Sequence, residues 1–158
     1  MVSYFAGVDW GYEHYGSIVV IGKDEHGVFY MVEEHTAQHE EIDNWVDIAK
    51  EVKERYGNIN FYCDSARPEH VQRFKREGLR ATNANKAVVS GIEEVSKLFK
   101  LNQLKVVKDR VELFQQEIFQ YVWNKSTGEP VKKNDDVLDA LRYAIYTNSK
   151  PAGIRLLK

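Results

Sequence analysis

The sequence predicts an α/β fold: a mixed central sheet, an antiparallel three-strand meander plus parallel strands, with helices on both faces. Three observations predict it. Three apolar runs joined by short turns open the chain, which is the pattern of a meander. From about residue 40, helical stripes alternate with short apolar runs, as crossover connections require. Three aspartates, Asp9, Asp64 and Asp139, stand at the ends or margins of these apolar elements.

The elements follow in order. Residues 4–9 read as a first strand ending at Asp9. Gly11 and Gly16 bracket a turn, and Ser17 to Ile21 make the second strand. Asp24-Glu25-His26-Gly27 is a hairpin-type connection whose glycine can take positive φ. Val28 to Glu33 follow as the third strand. A helix from about Glu40 to Tyr56 puts Ile42, Trp45, Val46, Ala49, Val52 and Tyr56 on one stripe, and Gly57 stops it. Residues 59–64 are apolar enough for a central strand, and the crossover helix lets it run parallel to an earlier one. Pro68 suits the first turn of a helix running to about Glu77, and Leu79 to Thr82 suggest a fifth strand. Lys86 to Lys100 form a helix with Val88, Ile92, Val95 and Phe99 on one face, and Leu104 to Val107 a short strand. Val111 to Ile118 look helical, and residues 120–132 form a hairpin before a last helix from Asp135 to about Asn148. Pro151 and Gly153 mark a tail.

A chain of 158 residues is the size of one domain, here 1–158, and can bury a sizeable core. With 43% apolar and 29% charged residues it falls among ordinary globular proteins. The single cysteine, Cys63, excludes an internal disulfide and reads as a packing thiol. No apolar stretch approaches the roughly 18 residues of a membrane span, and no signal peptide is read at the N-terminus. The net charge of −2 argues against whole-surface attraction to nucleic acid, but its distribution is uneven. Residues 1–60 carry −8, residues 61–110 carry +5 and the remainder +1. A basic middle third is compatible with a phosphate-facing surface and equally with solvated helix faces.

The carboxylates carry the chemical signal. A carboxylate at the edge of a core is costly to desolvate unless paired, and three brought together repel one another. A hard divalent cation resolves both problems, since Mg²⁺ takes carboxylate oxygens, and the arrangement suits phosphodiester hydrolysis. Each position also has a plainer reading: Asp9 as a turn residue, Asp64 as a cap for the next helix, Asp135 and Asp136 as acids at a helix N-terminus. Asp139 is the hardest to explain so, because it lies inside a helix with Asp135 and Asp136 four and three residues before it. His14, His26, His35 and His39 lack the spacing of a zinc set.

Val8-Asp9-Trp10-Gly11, Tyr62-Cys63-Asp64-Ser65-Ala66, the Lys86–Leu98 segment with Ser90-Gly91-Ile92, and Tyr121-Val122-Trp123 through Asn134-Asp135-Asp136-Val137-Leu138-Asp139-Ala140-Leu141-Arg142-Tyr143-Ala144 together carry a resemblance. Over nearly its whole length the chain resembles the C-terminal nuclease domain of the large terminase subunit of tailed bacteriophages, a ribonuclease H-like domain. The resemblance implies a metal-dependent endonuclease that cleaves double-stranded viral DNA concatemers during packaging. It implies Asp9, Asp64 and Asp139 as catalytic carboxylates gathering two Mg²⁺ or Mn²⁺ ions, with Asp136 as auxiliary ligand where many relatives carry histidine. Lys86, Lys97 and Lys100 are candidates for DNA phosphate contacts. The implied partners are double-stranded DNA and, in a full-length protein, an N-terminal ATPase domain, the small terminase subunit and the portal, with no membrane. The implied location is the cytoplasm of the infected host. No Gly-x-x-x-x-Gly-Lys-Ser/Thr is present, so no ATPase motor is expected in this chain. The hairpin before the acidic helix reads either as a gate or as a plain sheet-edge extension. Competing readings are a Holliday-junction resolvase or transposase-like nuclease of the same fold, an actin-like or sugar-kinase-like nucleotide-binding domain, and a non-enzymatic module binding DNA or portal.

Overall fold

A computed structural model describes residues 1–107 and 136–150, with Asp136 described by its backbone alone. The helix expected at 111–118, the hairpin at 120–132, Asp135 and the tail from Pro151 lie outside those residues. The described strands are β1 (Ser3–Asp9), β2 (Tyr15–Lys23), β3 (Phe29–Gln38), β4 (Asn60–Cys63), β5 (Arg80–Asn83) and β6 (Leu104–Val106). The helices are α1 (Ile42–Tyr56), α2 (Pro68–Arg76), α3 (Val88–Lys100) and α4 (Asp136–Ser149).

The strands form one sheet in the order β5-β4-β1-β2-β3-β6. β1, β2 and β3 pair antiparallel in the expected meander. β4 lies parallel to β1, β5 parallel to β4, and β6 parallel to β3. Successive residues of a strand face opposite sides, and the core divides accordingly. Ala6, Val8, Ile18, Val20, Phe61 and Cys63 pack under α1 and α2, against Trp45, Val46, Val52 and Phe74. Phe5, Val19, Ile21 and Met31 pack under α3 and α4, against Val95, Leu98, Leu138, Leu141 and Ile145. The meander and the crossovers thus produce the two-faced architecture that the periodicities require. No helix among the described residues is long and apolar enough to cross a membrane.

Beyond shifts of one or two residues at element ends, which leave Lys86 just before α3, two elements differ from the sequence expectation. β3 extends to Gln38, five residues past Glu33, and its second half pairs with Tyr15–Val19. Its charged and polar residues hide the strand because they find partners inside the fold. Thr36 Oγ1 donates to Glu34 Oε2 at 2.8 Å and lies 2.9 Å from Ser17 Oγ. On α3, Gly91, Val95 and Leu98 form the buried edge, with Val88, Ile92 and Phe99 at its flanks. A glycine gives no apolar signal, so the stripe read from side chains is rotated from the real one.

Glu33 is another polar group the sheet buries, at 5% exposure. Burial raises its proton affinity, but hydrogen bonds from Arg55, Tyr56 and His35 more than cancel this and hold its carboxyl down at about 2. Arg55 donates through both Nε and Nη2, at 2.9 and 2.7 Å. A carboxylate whose folded-state value lies below its unfolded one stabilises fully above the unfolded value. That stability is lost as pH falls from about 4.5 towards 2. Glu33→Gln is expected to lower stability at pH 7 by about 2 kcal/mol, the scale of weakening a charge-assisted hydrogen-bond cluster. Urea denaturation at pH 7 and pH 3 checks it, and the gap between the two proteins must narrow at the lower pH.

Candidate active site

The site is built where β1 and β4 end. Their register pairs Val8 with Cys63. The ladder continues one step, with the Asp64 amide donating to the Val8 carbonyl at 2.9 Å. Asp9 and Asp64 therefore end two adjacent parallel strands side by side. Period-two alternation puts Asp9 on the side of Phe5 and Gly7, and Asp64 on the side of Tyr62, which is the face covered by α4. Asp9 is buried at 6% exposure. Trp10, packed edge-on against His70 and Phe74, donates from Nε1 to the Asp64 carbonyl at 2.8 Å and fixes the turn after β4.

α4 brings the third carboxylate. It crosses β1 at Gly7, where a Cβ would lie 1.9 Å from the Ala140 carbonyl oxygen and 2.9 Å from the Ala144 amide nitrogen. That contact puts Asp139 and Tyr143, the residues just before Ala140 and Ala144, beside the strand ends. Tyr143 senses all three acids. Burial pushes its phenol up, and the charges of Asp9, Asp64 and Asp139 push it further, with Arg142 opposing them. The charges of Asp9, Asp64 and Asp139 thus all act on one buried tyrosine.

Two cations pair with two of them. Lys86 Nζ stands 2.7 Å from Asp64 Oδ1, and Arg142 Nη1 stands 3.2 Å from Asp139 Oδ1. Lys86 is aimed by its backbone surroundings. The Ala84 amide donates to the Cys63 carbonyl at 2.7 Å, and the Asn85 amide to the buried Thr147 hydroxyl of α4 at 2.7 Å. The segment is thus tied to both walls of the site. Asp64 Oδ1 also accepts from the Ala66 amide at 3.0 Å, a local turn bond, while α2 begins after Arg67 without a side-chain cap. Asp64 is accordingly not the cap of that helix.

Lys97 is exposed and lies 3.4 Å from Glu94 on its own helix, and Lys100 is exposed at the end of α3. Of the other basic residues in the middle third, Arg73 pairs with Asp43 and Glu77, and Arg67 with Glu69. Cys63 is fully buried and burial pushes its thiol up, as suits a packing residue. Asp136 opens α4 three residues before Asp139.

The donor chemistry of Asp9, Asp64 and Asp139, carboxylate oxygens alone, fits a hard divalent cation. Among the described residues, no group of three or more His, Cys, Asp and Glu side chains is drawn together at metal-holding spacing. Asp64 and Asp139 are instead turned to Lys86 and Arg142.

A family model described as the terminase RNaseH-like domain matches residues 6–147. The chain belongs to this family. Among solved structures, this terminase RNase H-like domain is similar to the large terminase nuclease domain of phage P22, at 23% identity and a TM-score of 0.74 over 89% of this chain and 78% of that one. It is also similar to the nuclease domain of the bacteriophage SPP1 large terminase with bound Mn, at 20% identity and a TM-score of 0.70, covering 92% and 86%. The large terminase of a thermophilic bacteriophage, in complex with ADP, matches at 21% identity and a TM-score of 0.81 over 96% of this chain. This domain spans 40% of that longer chain. No curated protein matches. The ribonuclease H-like fold expected from the motifs is thereby established.

Arg142, Tyr143 and Gly7 belong to the site of this terminase domain without having been picked out by the sequence. Asp139 and Arg142 are three apart in a helix, a spacing that brings side chains together. That spacing was the available signal for Arg142.

Proposed function

We propose that this terminase domain is a divalent-metal-dependent endonuclease that cuts double-stranded viral DNA concatemers during genome packaging. One observation supports the reading: Asp9 and Asp64 stand at the ends of adjacent parallel strands, and the helix docked on Gly7 carries Asp139 to the same end of the sheet. Asp9, Asp64 and Asp139 would hold Mg²⁺ or Mn²⁺, two ions, with Asp136 as auxiliary ligand. Bound ions of this kind activate a water nucleophile and neutralise charge on the attacked phosphate and its leaving oxygen. Family membership supports a terminase nuclease role, and the SPP1 relative was solved with Mn.

The chain's own residues do the remaining work. Asp9 and Asp64 are set by the parallel β1–β4 ladder, so their carboxylates are placed by rigid strands. Asp139 is set by the docking of α4 on Gly7. The Lys86 ammonium, paired with Asp64 at 2.7 Å, would supply a positive charge to a DNA phosphate at this site. Lys97 and Lys100 lie on exposed parts of α3 as further phosphate contacts, which would make DNA affinity fall as salt rises. In a full-length protein the partners would be an ATPase domain, the small subunit and the portal, acting in the host cytoplasm.

The test is incubation of supercoiled plasmid with the protein in Mn²⁺ and in EDTA, beside a four-way junction and single-stranded DNA. Nicked and linear plasmid appearing only with Mn²⁺ is expected. Metal-independent cutting, or none under any metal condition, overturns the reading. Preference for the junction transfers the site to a resolvase-type reaction.

A further inference from the structure

Gly91 lies within α3, where glycine is less favourable than alanine. A Cβ there would lie 2.7 Å from both Cγ and Cδ of Arg142 and 3.5 Å from its Nε. The Arg142 stem fills the room this glycine leaves between α3 and α4. The arginine is 3% exposed, and its guanidinium reaches Asp139 Oδ1 at 3.2 Å and lies 5.2 Å from the Tyr143 ring centre. Its Nε is buried without a hydrogen bond. Replacing a buried ion pair by packed apolar groups is often neutral or stabilising, so the pair is poorly explained by stability alone. Both contacts are with residues of α4 that stand beside Ala140 and Ala144, where that helix docks on β1.

We propose that Arg142, lodged in the gap left by Gly91, is a positioning residue that fixes the Asp139 carboxylate where it can serve a divalent ion. This rests on the metal-dependent reading given above. It opposes a simpler role in which Arg142 is a competing cation. A competing cation weakens metal binding, so its removal strengthens it. A positioning residue does the reverse. Gly91→Ala separates the two, because it displaces the arginine without changing any charge.

The measurement is Mn²⁺ affinity by calorimetry for the wild type, Gly91→Ala, Arg142→Lys and Arg142→Met, with melting curves in EDTA. Gly91→Ala is expected to bind Mn²⁺ about tenfold more weakly, the scale of losing a group that orients a metal ligand. Arg142→Lys, which keeps a positive charge beside Asp139, is expected to retain more affinity than Arg142→Met. Should Arg142→Met fail to fold, Gly91→Ala and Arg142→Lys decide. Tighter binding by Arg142→Met overturns the inference. So does a lower melting temperature in Gly91→Ala with Mn²⁺ affinity intact, which assigns the arginine to packing alone. A wild type that binds Mn²⁺ alongside variants that bind equally well sinks this inference only. A wild type that binds none sinks the functional reading beneath it as well.

Discussion

Asp9→Asn is expected to lower Mn²⁺-dependent plasmid cleavage by on the order of 10³-fold or more while leaving the protein folded. Asparagine keeps the shape of the side chain and removes its charge. Asp64 and Asp139 stand at the same end of the sheet, so neutralising Asp9 removes one of three like charges there. The melting temperature in EDTA should therefore be unchanged or higher. Asp139→Ala would be a poorer choice for the same purpose. It leaves the Arg142 guanidinium buried without its carboxylate, and orphaning one member of a buried pair costs about 3–5 kcal/mol. Loss of cutting in that variant would mix chemistry with unfolding. Asp64→Asn is intermediate, because Lys86 has 38% of its side chain exposed and can turn to water. Plasmid cleavage and circular dichroism melting on one preparation check the Asp9 variant. Cutting at the wild-type rate would remove Asp9 from the chemistry.

The parts of this site that sequence reasoning finds are those governed by local periodicity. Asp9 and Asp64 close apolar runs of strand type, and Asp139 interrupts a helix beside apolar neighbours. The parallel pairing of β4 with β1 also follows from the crossover between them. What escapes is set by contacts between distant segments. Arg142 in a string reads as an ordinary charge on a helix. Its burial depends on α3 lying against α4 and on a glycine more than 50 residues earlier. Lys86 is read as a phosphate contact, but its pairing with Asp64 depends on the bonds from Ala84 to Cys63 and from Asn85 to Thr147 that hold its segment at the site. The second half of β3 is hidden for a related reason. Glu34 and Thr36 look like loop residues because polarity is read from the chain alone, whereas in the fold Thr36 bonds Glu34 and lies against Ser17.

Gly7→Ala is expected to be strongly destabilising, at about 3–5 kcal/mol, beyond the usual range for overpacking. Intrinsic preference points the other way, since glycine weakens a strand through its conformational freedom and alanine at the same place lessens that loss. The sign is decided by the 1.9 Å from the added Cβ to the Ala140 carbonyl oxygen. That atom is helix backbone and cannot swing aside like the end of a long side chain. The whole of α4 must lift from β1, and Val137, Leu138, Leu141 and Ile145, all buried against that face, lift with it. The same movement draws Asp139 away from Asp9 and Asp64. Stability and chemistry should therefore fall together. Even at a temperature where circular dichroism shows Gly7→Ala to be folded, its Mn²⁺-dependent cleavage should be well below that of the wild type. Gly27→Ala is a useful control, because it meets no atom within 4 Å and introduces strain only through its φ of 81° in a distant turn. It should lower the melting temperature modestly and leave cleavage by the folded protein intact. If Gly7→Ala proves as stable and as active as the wild type, α4 does not sit on β1 as described, and the convergence of the three carboxylates loses its structural basis.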